Sequence, residues 1–199
     1  MNIEKVKEKI VDIADLISEN EAYLTDLDRE IGDADHGYNM KKGFSKVKEA
    51  MDEEFSDLKS LFNKIAMTLI STVGGASGPL YGTFFMKFAQ SLDGCADIDK
   101  EIFTKAFSNG VDGVIMRGKA KVGDKTMVDV LSPVADALKE NKSFSEVVDI
   151  AKENMERTKD IKAIKGRAAY LGERSIGHID PGACSSYLCI KCALGELND

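Results

Sequence analysis

Residues 58–69 read LKSLFNKIAMTL and set the pattern for most of the chain. The apolar residues of this stretch recur at spacings of three and four, which places them on one face of an α-helix. The same period returns in other segments, namely 3–17, 84–88, 103–114, 131–138 and 144–151. No comparable run alternates with period two, as a half-buried strand would. The sequence therefore predicts an all-α protein.

Helix ends are marked by capping residues and by glycines. The first helix is predicted over about 2–19, and Asp99, Ser143 and the pair Asp180-Pro181 are suited to N-terminal caps. About eight helices result, and short connections favour an up-and-down bundle of antiparallel neighbours. Glycine and polar residues concentrate in four predicted loops, 28–37, 74–82, 117–126 and 166–182. Alternate loops of such a bundle share one end, where we expect the functional site.

Size and charge narrow the class of protein. The 199 residues carry 43% apolar and 31% charged residues, which is ordinary for one globular domain spanning 1–199. The net charge of −7 argues against nucleic acid or an anionic membrane as partner. No apolar stretch approaches the roughly 18 residues of a membrane helix, and residues 1–9 lack the apolar core of a signal peptide. A cytoplasmic location is expected.

The pair Cys189-x-x-Cys192 has a spacing found in zinc and redox sites. The chain has only two histidines and no second cysteine pair at metal spacing. The pair also lies in an apolar stretch. The favoured interpretation is therefore that these are reduced cysteines of the protein core, carried on a helix.

Residues 27–40, LDREIGDADHGYNM, place three aspartates within eight residues around a glycine. Asp28, Asp33 and Asp35 would repel one another unless a hard cation lay between them. A turn at Gly32 can direct all three toward one point, and two or three carboxylates suit Mg²⁺. The spacing does not match a calcium-binding loop, which needs a glutamate at a later position. The alternative is a solvated acidic turn that caps the following helix.

Residues 73–82, VGGASGPLYG, contain three glycines ahead of a proline. Such a backbone can approach a ligand closely, and its N–H groups can cradle a phosphate. Ser77 or Gly78 would cap the next helix, whose N-terminus favours anions. A tight turn between two helices explains the same glycines equally well.

Two further loops carry basic residues. Residues 117–127, RGKAKVGDKTM, offer cations that could neutralise phosphate, although a solvated surface loop explains them better. Residues 165–183 contain Arg167, whose guanidinium suits a phosphate, together with His178 and Asp180. A long structural connection is the alternative there. His36 and His178 are possible bases, but a lone histidine is more often structural.

Taken together, these segments resemble the nucleotide-binding L subunit of bacterial phosphotransferase-dependent dihydroxyacetone kinases. The resemblance spans nearly the whole chain and is carried, in order, by 24–40, 67–85, 118–127 and 166–183. Ala34 stands where many relatives have glycine. The resemblance implies a closed, barrel-like bundle of eight antiparallel helices with tightly bound ADP and two Mg²⁺ at one end.

The resemblance also implies roles for particular residues. Asp28, Asp33 and Asp35 match the magnesium ligands, and Arg167 joins them as a catalytic candidate because it can supply positive charge. The nucleotide-contacting positions are matched by His36, Gly37, Tyr38, Asn39, Ala76, Ser77, Gly118, Met127, Arg167, Asp180, Pro181 and Gly182.

In the family that these residues resemble, a phosphohistidine on an M subunit phosphorylates the bound ADP. The L subunit then passes the γ-phosphoryl group to dihydroxyacetone held on a K subunit. One alternative is the nucleotide domain of an ATP-dependent dihydroxyacetone kinase or fatty-acid kinase, which turns over free ATP. A chain of 199 residues favours the phosphotransferase-linked form over that domain, which is usually fused to other modules. Another alternative is a regulatory nucleotide-binding module without catalysis.

Overall fold

The computed structural model describes residues 1–195 and 197, so three residues of the predicted domain 1–199 lie outside it. The described residues form α-helices and two 3₁₀ segments, Thr158–Asp160 and Arg167–Ser175, with no strand. The all-α class is confirmed. The α-helices are α1 Ile3–Glu19, α2 Glu21–Ile31, α3 His36–Ala50, α4 Leu58–Thr72, α5 Ser77–Gln90, α6 Lys100–Gly118, α7 Val128–Lys139, α8 Phe144–Arg157 and α9 Pro181–Leu194.

The described residues thus contain nine α-helices, where about eight were predicted. The additional one is α2, which follows α1 after Asn20. Helix α1 packs against α3 and α9, and each helix from α3 onward packs against the next. Helix α2 lies against α3 and α9. These contacts lead from α1 through every later helix and back to α1, while the barrel-like shape stays a prediction.

Aromatic side chains from α4, α5 and α6 fill much of the interior. Phe62 and Phe88 have ring centroids 4.7 Å apart, and Phe84 meets Phe107 edge-on at 5.3 Å. Such pairs add to the free energy gained from burying apolar area. They surround an apolar cavity of about 110 Å³, which Tyr81 and Met127 also line.

Three of the predicted caps are confirmed. Asp99 accepts a hydrogen bond from the backbone N–H of Ile102 at the start of α6. Ser143 forms a capping box with Glu146 at the start of α8. Asp180 precedes Pro181 and caps α9. Local sequence signals therefore fix where these three helices begin.

Two predicted loops are shorter than expected. Helix α2 runs to Ile31 and α3 starts at His36, so the loop 28–37 reduces to residues 32–35. Helix α5 starts at Ser77, and no side chain caps it, so the predicted cap by Ser77 or Gly78 is wrong. A Cβ at Gly78 would overlap the carbonyl oxygen of Val73, and one at Gly82 would overlap the Ile70 side chain. These glycines serve close packing of α4 on α5, which is why they do not end the helix.

Helix α9 carries Cys184, Cys189 and Cys192, and none of these three forms a disulfide. Burial raises the pKa of Cys189 above its usual range, which keeps this thiol protonated and unreactive. Within residues 1–195 and 197, none of the helices combines the length and apolar character needed to cross a bilayer.

Candidate functional site

Residues from all four predicted loops line one cavity of about 190 Å³. One wall comes from the acidic segment between α2 and α3, and the next from the glycine-rich turn before α5. The turn before α7 and the segments around Arg167 and Asp180 complete it. The expected convergence of these loops therefore occurs. The predicted site residues on this wall are Asp28, Asp33, Asp35, His36, Asn39, Ala76, Ser77, Met127, Arg167, Asp180, Pro181 and Gly182.

The three predicted metal ligands lie close together. One oxygen from each of Asp28, Asp33 and Asp35 lies within 4.8 Å of the other two. Asp28 is buried, whereas Asp33 and Asp35 are exposed to solvent. A Cβ at Gly32 would overlap Asp28 Oδ1, so this position needs glycine for the turn to pass the carboxylate. The arrangement offers carboxylate oxygens of the kind that Mg²⁺ prefers.

Asp28 also holds the start of α3. Its Oδ2 accepts hydrogen bonds from the backbone N–H groups of Asp35 at 2.9 Å and His36 at 3.2 Å. The intervening Ala34 has a φ of 60°, a left-handed conformation that alanine adopts at a cost. A residue of α2 thus fixes the loop that presents the other two carboxylates.

The charges in this segment are unbalanced. Burial and the neighbouring Asp33 carboxylate raise the pKa of Asp35, and Asp28 adds to the effect. A hydrogen bond from Asn39 lowers that pKa in part. From the neighbouring wall, the Arg167 guanidinium lies 2.9 Å from Asp33 and supplies one positive charge. A divalent cation bound among the three carboxylates would remove the remaining repulsion.

A buried polar network lies behind this wall. His36 Nε2 is 2.9 Å from Ser185 Oγ, and its Nδ1 is 3.2 Å from Ser77 Oγ. The Tyr81 hydroxyl bonds to both Ser185 and Ser186, at 2.8 and 3.1 Å. Burial lowers the pKa of His36 to about 4, so the ring is neutral near pH 7. Through Nδ1 the ring contacts Ser77, which lines the cavity.

Sequence reasoning missed Tyr81, Ser185 and Ser186 as members of this network. Their partners lie about 100 to 150 positions away, so no local pattern indicates the pairing. The available signal was the presence of two adjacent serines on an apolar helix that follows a predicted site loop.

The glycine-rich turn gives the cavity a wall made largely of backbone. Gly74, Gly75, Ala76 and Ser77 all line it. Gly75 has a φ of 63°, and a Cβ at Gly74 would lie 2.7 Å from the Asn39 side-chain oxygen. Helix α5 begins at Ser77, at the end of this turn. Free backbone N–H groups at a helix N-terminus favour an anion, so the geometry suits the phosphate-binding interpretation, which stays a prediction.

The fourth wall includes the half-buried residue Asp180. Its Oδ2 accepts a hydrogen bond of 2.7 Å from the backbone N–H of Ala183. Burial raises the pKa of Asp180 to about 7, although that bond acts in the opposite direction. The negative charge of Asp129 raises the pKa further, while Lys125 lowers it. The Asp180 carboxyl group therefore changes charge near neutral pH.

A second cavity of about 310 Å³ adjoins the first and shares Leu80 and Met127 with it. Gly118, a predicted nucleotide-contacting residue, lines this second cavity. Leu80, Val114 and Met127 make much of its surface apolar. A polar and an apolar compartment thus lie side by side.

Two predicted site residues lie outside both cavity walls. Gly37 is buried against α2, where a Cβ would overlap the carbonyl oxygen of Glu21. Tyr38 is 59% exposed and lines neither of these two cavities. His178, the second candidate histidine, is half-buried, with Nδ1 4.0 Å from a Glu30 carboxylate oxygen. The roles of Gly37 and Tyr38 in nucleotide binding stay predictions.

Comparison with known proteins places the chain in a family. Residues 30–195 match the family model described as the DAK2 domain. The chain is 48% identical to the "PEP-dependent dihydroxyacetone kinase 1, ADP-binding subunit DhaL" of Listeria innocua, covering 92% of this chain and 91% of the relative. It is also 48% identical to the "PEP-dependent dihydroxyacetone kinase, ADP-binding subunit DhaL" of Escherichia coli, covering 86% of each.

Solved structures agree with this assignment. The dihydroxyacetone kinase of C. freundii superposes with a TM-score of 0.79 at 26% identity, over 98% of this chain. This chain spans about a third of that kinase, 35% of its length. The same kinase is known in complex with AMP-PNP and Mg²⁺, again with a TM-score of 0.79. Together with the matches in sequence, these findings show that the chain belongs to the DAK2 domain family.

Proposed function

We propose that this chain is the ADP-binding subunit of a PEP-dependent dihydroxyacetone kinase. The observation that carries the proposal is the set of three carboxylates, with oxygens within 4.8 Å, on the wall of a cavity that also contains Arg167. Relatives of nearly equal length that are named as ADP-binding subunits support it. A kinase activity follows for the assembled enzyme, in which this chain supplies the nucleotide.

The carboxylates fit magnesium. Asp28, Asp33 and Asp35 would hold two Mg²⁺ ions, each of which keeps water and takes phosphate oxygens as its other ligands. Burial, followed by the neighbouring Asp33 carboxylate, raises the pKa of Asp35, and a cation bound here would favour its charged form. When bound, Mg²⁺ neutralises the charge of the phosphates.

The two cavities fit the two halves of a nucleotide. The backbone of Gly74 to Ser77 and the N-terminus of α5 suit a diphosphate, which would lie between them and the carboxylates. The apolar compartment of Leu80, Val114 and Met127 suits a purine base, and Gly118 lies at its edge. Asn39, Ala76, Asp180, Pro181 and Gly182 complete the wall around the polar half.

Phosphoryl transfer needs positioning and charge neutralisation more than covalent chemistry by the protein. In the proposed cycle, a phosphohistidine on an M subunit donates its phosphoryl group and a hydroxyl of dihydroxyacetone on a K subunit finally receives it. Arg167 is exposed at the rim, where it can leave Asp33 and meet an incoming phosphoryl group. The buried network of His36 holds Ser77 in place behind the phosphates.

Two further proposals concern the chain as a whole. We infer that residues 1–199 form a single domain, because the helices pack around one main apolar core. We also infer a cytoplasmic location, where a phosphorelay that starts from phosphoenolpyruvate would reach the chain. Exposed loops at the cavity mouth provide the surface for partner subunits.

The nucleotide bound to the purified protein tests the proposal. After exhaustive dialysis in Mg²⁺, the protein is denatured and the released nucleotide and metal are quantified. We expect close to one ADP and two Mg²⁺ per chain. Rapid exchange of ATP, with turnover when dihydroxyacetone and K subunit are present without M subunit, would favour the ATP-dependent kinase. Bound nucleotide without transfer, even with both partner subunits, would favour a regulatory module.

A further inference from the structure

Lys125 is buried in an unusual way for a lysine. The residue is 1% exposed, and its ammonium group lies among backbone carbonyls of one later segment. The distances from Nζ to these oxygens are 2.6 Å to Thr158, 3.2 Å to Ile161, 2.7 Å to Ser175 and 2.6 Å to His178. An ammonium group has only three N–H donors. The four carbonyl oxygens therefore surround its positive charge much as they would surround a metal cation.

This ammonium group closes a segment that has little regular structure of its own. Residues 158–180 contain two short 3₁₀ segments, one of them kinked at Gly172. Buried lysines are rare because losing hydration is costly, so the four bonds must offset that cost. Burial lowers the pKa of Lys125, and the nearby Asp180 and Asp129 carboxylates raise it. A charged lysine at this position attracts the negative ends of the four carbonyl dipoles, which stabilises the whole segment.

The backbone turn around Lys125 directs its side chain toward these carbonyls. Lys125 has a φ of 62°, a strained conformation for a residue with a Cβ. Asp129 holds the turn by accepting bonds from the N–H groups of Gly123 at 2.6 Å and Thr126 at 2.7 Å. The carbonyl oxygen of Asp124 accepts from Ile164 N at 3.1 Å, so the same turn grips the later segment twice.

The segment that Lys125 holds carries two predicted site residues. Arg167 lies in its second 3₁₀ segment, and Asp180 ends it at the start of α9. The Asp180 N–H donates to Thr158 Oγ1 at 3.0 Å, next to a carbonyl that Lys125 holds. The four carbonyls thus connect the ammonium group to both ends of this wall.

We propose that Lys125 is a positioning residue that fixes the 158–180 wall of the nucleotide site by clamping its carbonyls. The lysine acts through Arg167 and Asp180 and needs no contact with the phosphates. Neutralisation of phosphate, the less favoured interpretation of the loop 117–126, therefore does not extend to the Lys125 ammonium group, which the carbonyls engage. The proposal rests on the nucleotide-binding function for its effect on ADP, but the clamp itself is testable in the absence of nucleotide.

The first experiment measures amide hydrogen exchange in nucleotide-free protein. Lys125→Met keeps the length of the side chain and removes the charge, and Leu61→Ala in α4 provides a stability control remote from the site. We expect exchange across 158–180 to rise at least tenfold in Lys125→Met, with α4 affected no more than in Leu61→Ala. Unchanged exchange in 158–180, or a uniform rise over the whole chain, would overturn the clamp.

The second experiment measures ADP affinity in Mg²⁺ for the same variants. We expect at least a tenfold loss for Lys125→Met and less than a threefold change for Leu61→Ala. Lys125→Ala should regain affinity on addition of propylammonium, and propanol should have no effect. Loss of protection in 158–180 with normal ADP affinity would refute the positioning role. Absence of ADP binding by the native protein would refute the proposed function instead, and leave the exchange result to decide the clamp.

Lysine acetylation of the native protein gives an independent measurement if the variants fail to fold. The exposed Lys121 in the same loop serves as the internal standard. We expect Lys125 to react at least tenfold more slowly than Lys121, and saturating ADP with Mg²⁺ to slow it further. Equal rates at the two lysines, or no effect of ADP on Lys125, would contradict the proposal.

Discussion

The two sides of the cavity are stabilised in opposite ways. The acidic side, residues 28–39, gathers three carboxylates, two of them exposed, and has one cation, Arg167, paired with Asp33. The other side, residues 158–180, contributes Arg167 and is held by the buried Lys125 through four carbonyls. One side has an excess of negative charge at its surface, and the other contains its own cation.

This difference indicates which part of the site changes on binding. Carboxylates that repel one another gain stability when a cation arrives, so the acidic side should be strengthened by metal. The clamped side gains nothing comparable, because its carbonyls are already engaged. We therefore expect the binding of metal to depend on the first side and the alignment of the phosphoryl acceptor to depend on the second.

The largest effect should follow from breaking the acidic side. Asp33→Asn removes one charge from the metal site, and nucleotide and metal retention should fall together. A loss of more than about 100-fold in ADP affinity is expected, since removing even an outer partner of a metal ligand costs 10–100-fold. Calorimetric titration with metal analysis measures both. Asp26→Asn, an exposed carboxylate on α2, is the control, and normal ADP content in Asp33→Asn would contradict the metal assignment.

The two sides should also respond to pH with opposite sign in metal-free protein. The pKa of Asp180 is raised from 3.8 to about 7, so its stabilising contribution is present below pH 3.8 and is lost as pH rises through 7. The pKa of His36 is lowered from 6.5 to about 4, so its contribution is present above pH 6.5 and is lost as pH falls through 4. The two effects offset each other in the native protein.

Asp180→Asn should expose the His36 contribution. The variant should lose about 2 kcal/mol of unfolding free energy between pH 7 and pH 5, relative to the native protein over that range. Urea unfolding in EDTA at several pH values measures the difference. Asp136→Asn, an exposed position on α7, should follow the native curve. An Asp180→Asn curve parallel to the native one would show that Asp180 titrates normally.

Removing the cation at the rim should reduce transfer and spare the fold. Arg167→Ala should lower the rate of phosphoryl transfer about tenfold, or about 1.4 kcal/mol in activation free energy. The unfolding free energy should change by less than about 0.5 kcal/mol, because the ion pair with Asp33 is exposed. A coupled assay with K and M subunits and circular dichroism measure the two quantities. Arg174→Ala is the control, and a loss of helicity matching the loss of activity would make Arg167 structural.

The smallest effect should come from relaxing the acidic loop. Ala34→Gly removes the strain of a φ of 60° and should raise the unfolding free energy by about 0.5 kcal/mol, after the entropy of glycine is counted. Thermal unfolding of metal-free protein measures it. Ala22→Gly, exposed within α2, should instead destabilise by about 1 kcal/mol. Destabilisation of similar size in both variants would rule out strain at Ala34.

The sequence predicts the acidic side far better than the clamped side. Asp28, Asp33 and Asp35 are close in sequence, so their spacing already indicates a shared ligand, and the helix caps at Asp99, Ser143 and Asp180 are equally local. The carbonyl partners of Lys125 lie 33 to 53 positions away. A lysine in a basic, glycine-containing loop has every local mark of a solvated side chain. Only the folded chain reveals that it is buried.

Helix counts and loop bounds show the same limit. The apolar period of three and four finds the helices. It does not separate α2 from the loop that follows, because Asp28 belongs to the helix although its side chain belongs to the candidate site. Glycines in 74–82 have the local character of a loop, yet Gly78 and Gly82 lie inside α5 where α4 approaches closely. The role of a glycine depends on what packs against it, which is not a local property.

Tyr81 and Met127 form a thin partition, since both line the polar cavity and the aromatic-lined interior behind it. A change of side-chain volume among the phenylalanines beneath this partition would therefore reach the proposed nucleotide pocket from below. Engineers who seek a more heat-resistant form of the chain by refilling its interior should expect altered affinity for ADP as a side effect. The same coupling should hold among relatives, so substitutions of these aromatic residues should be accompanied by changes in ligand affinity.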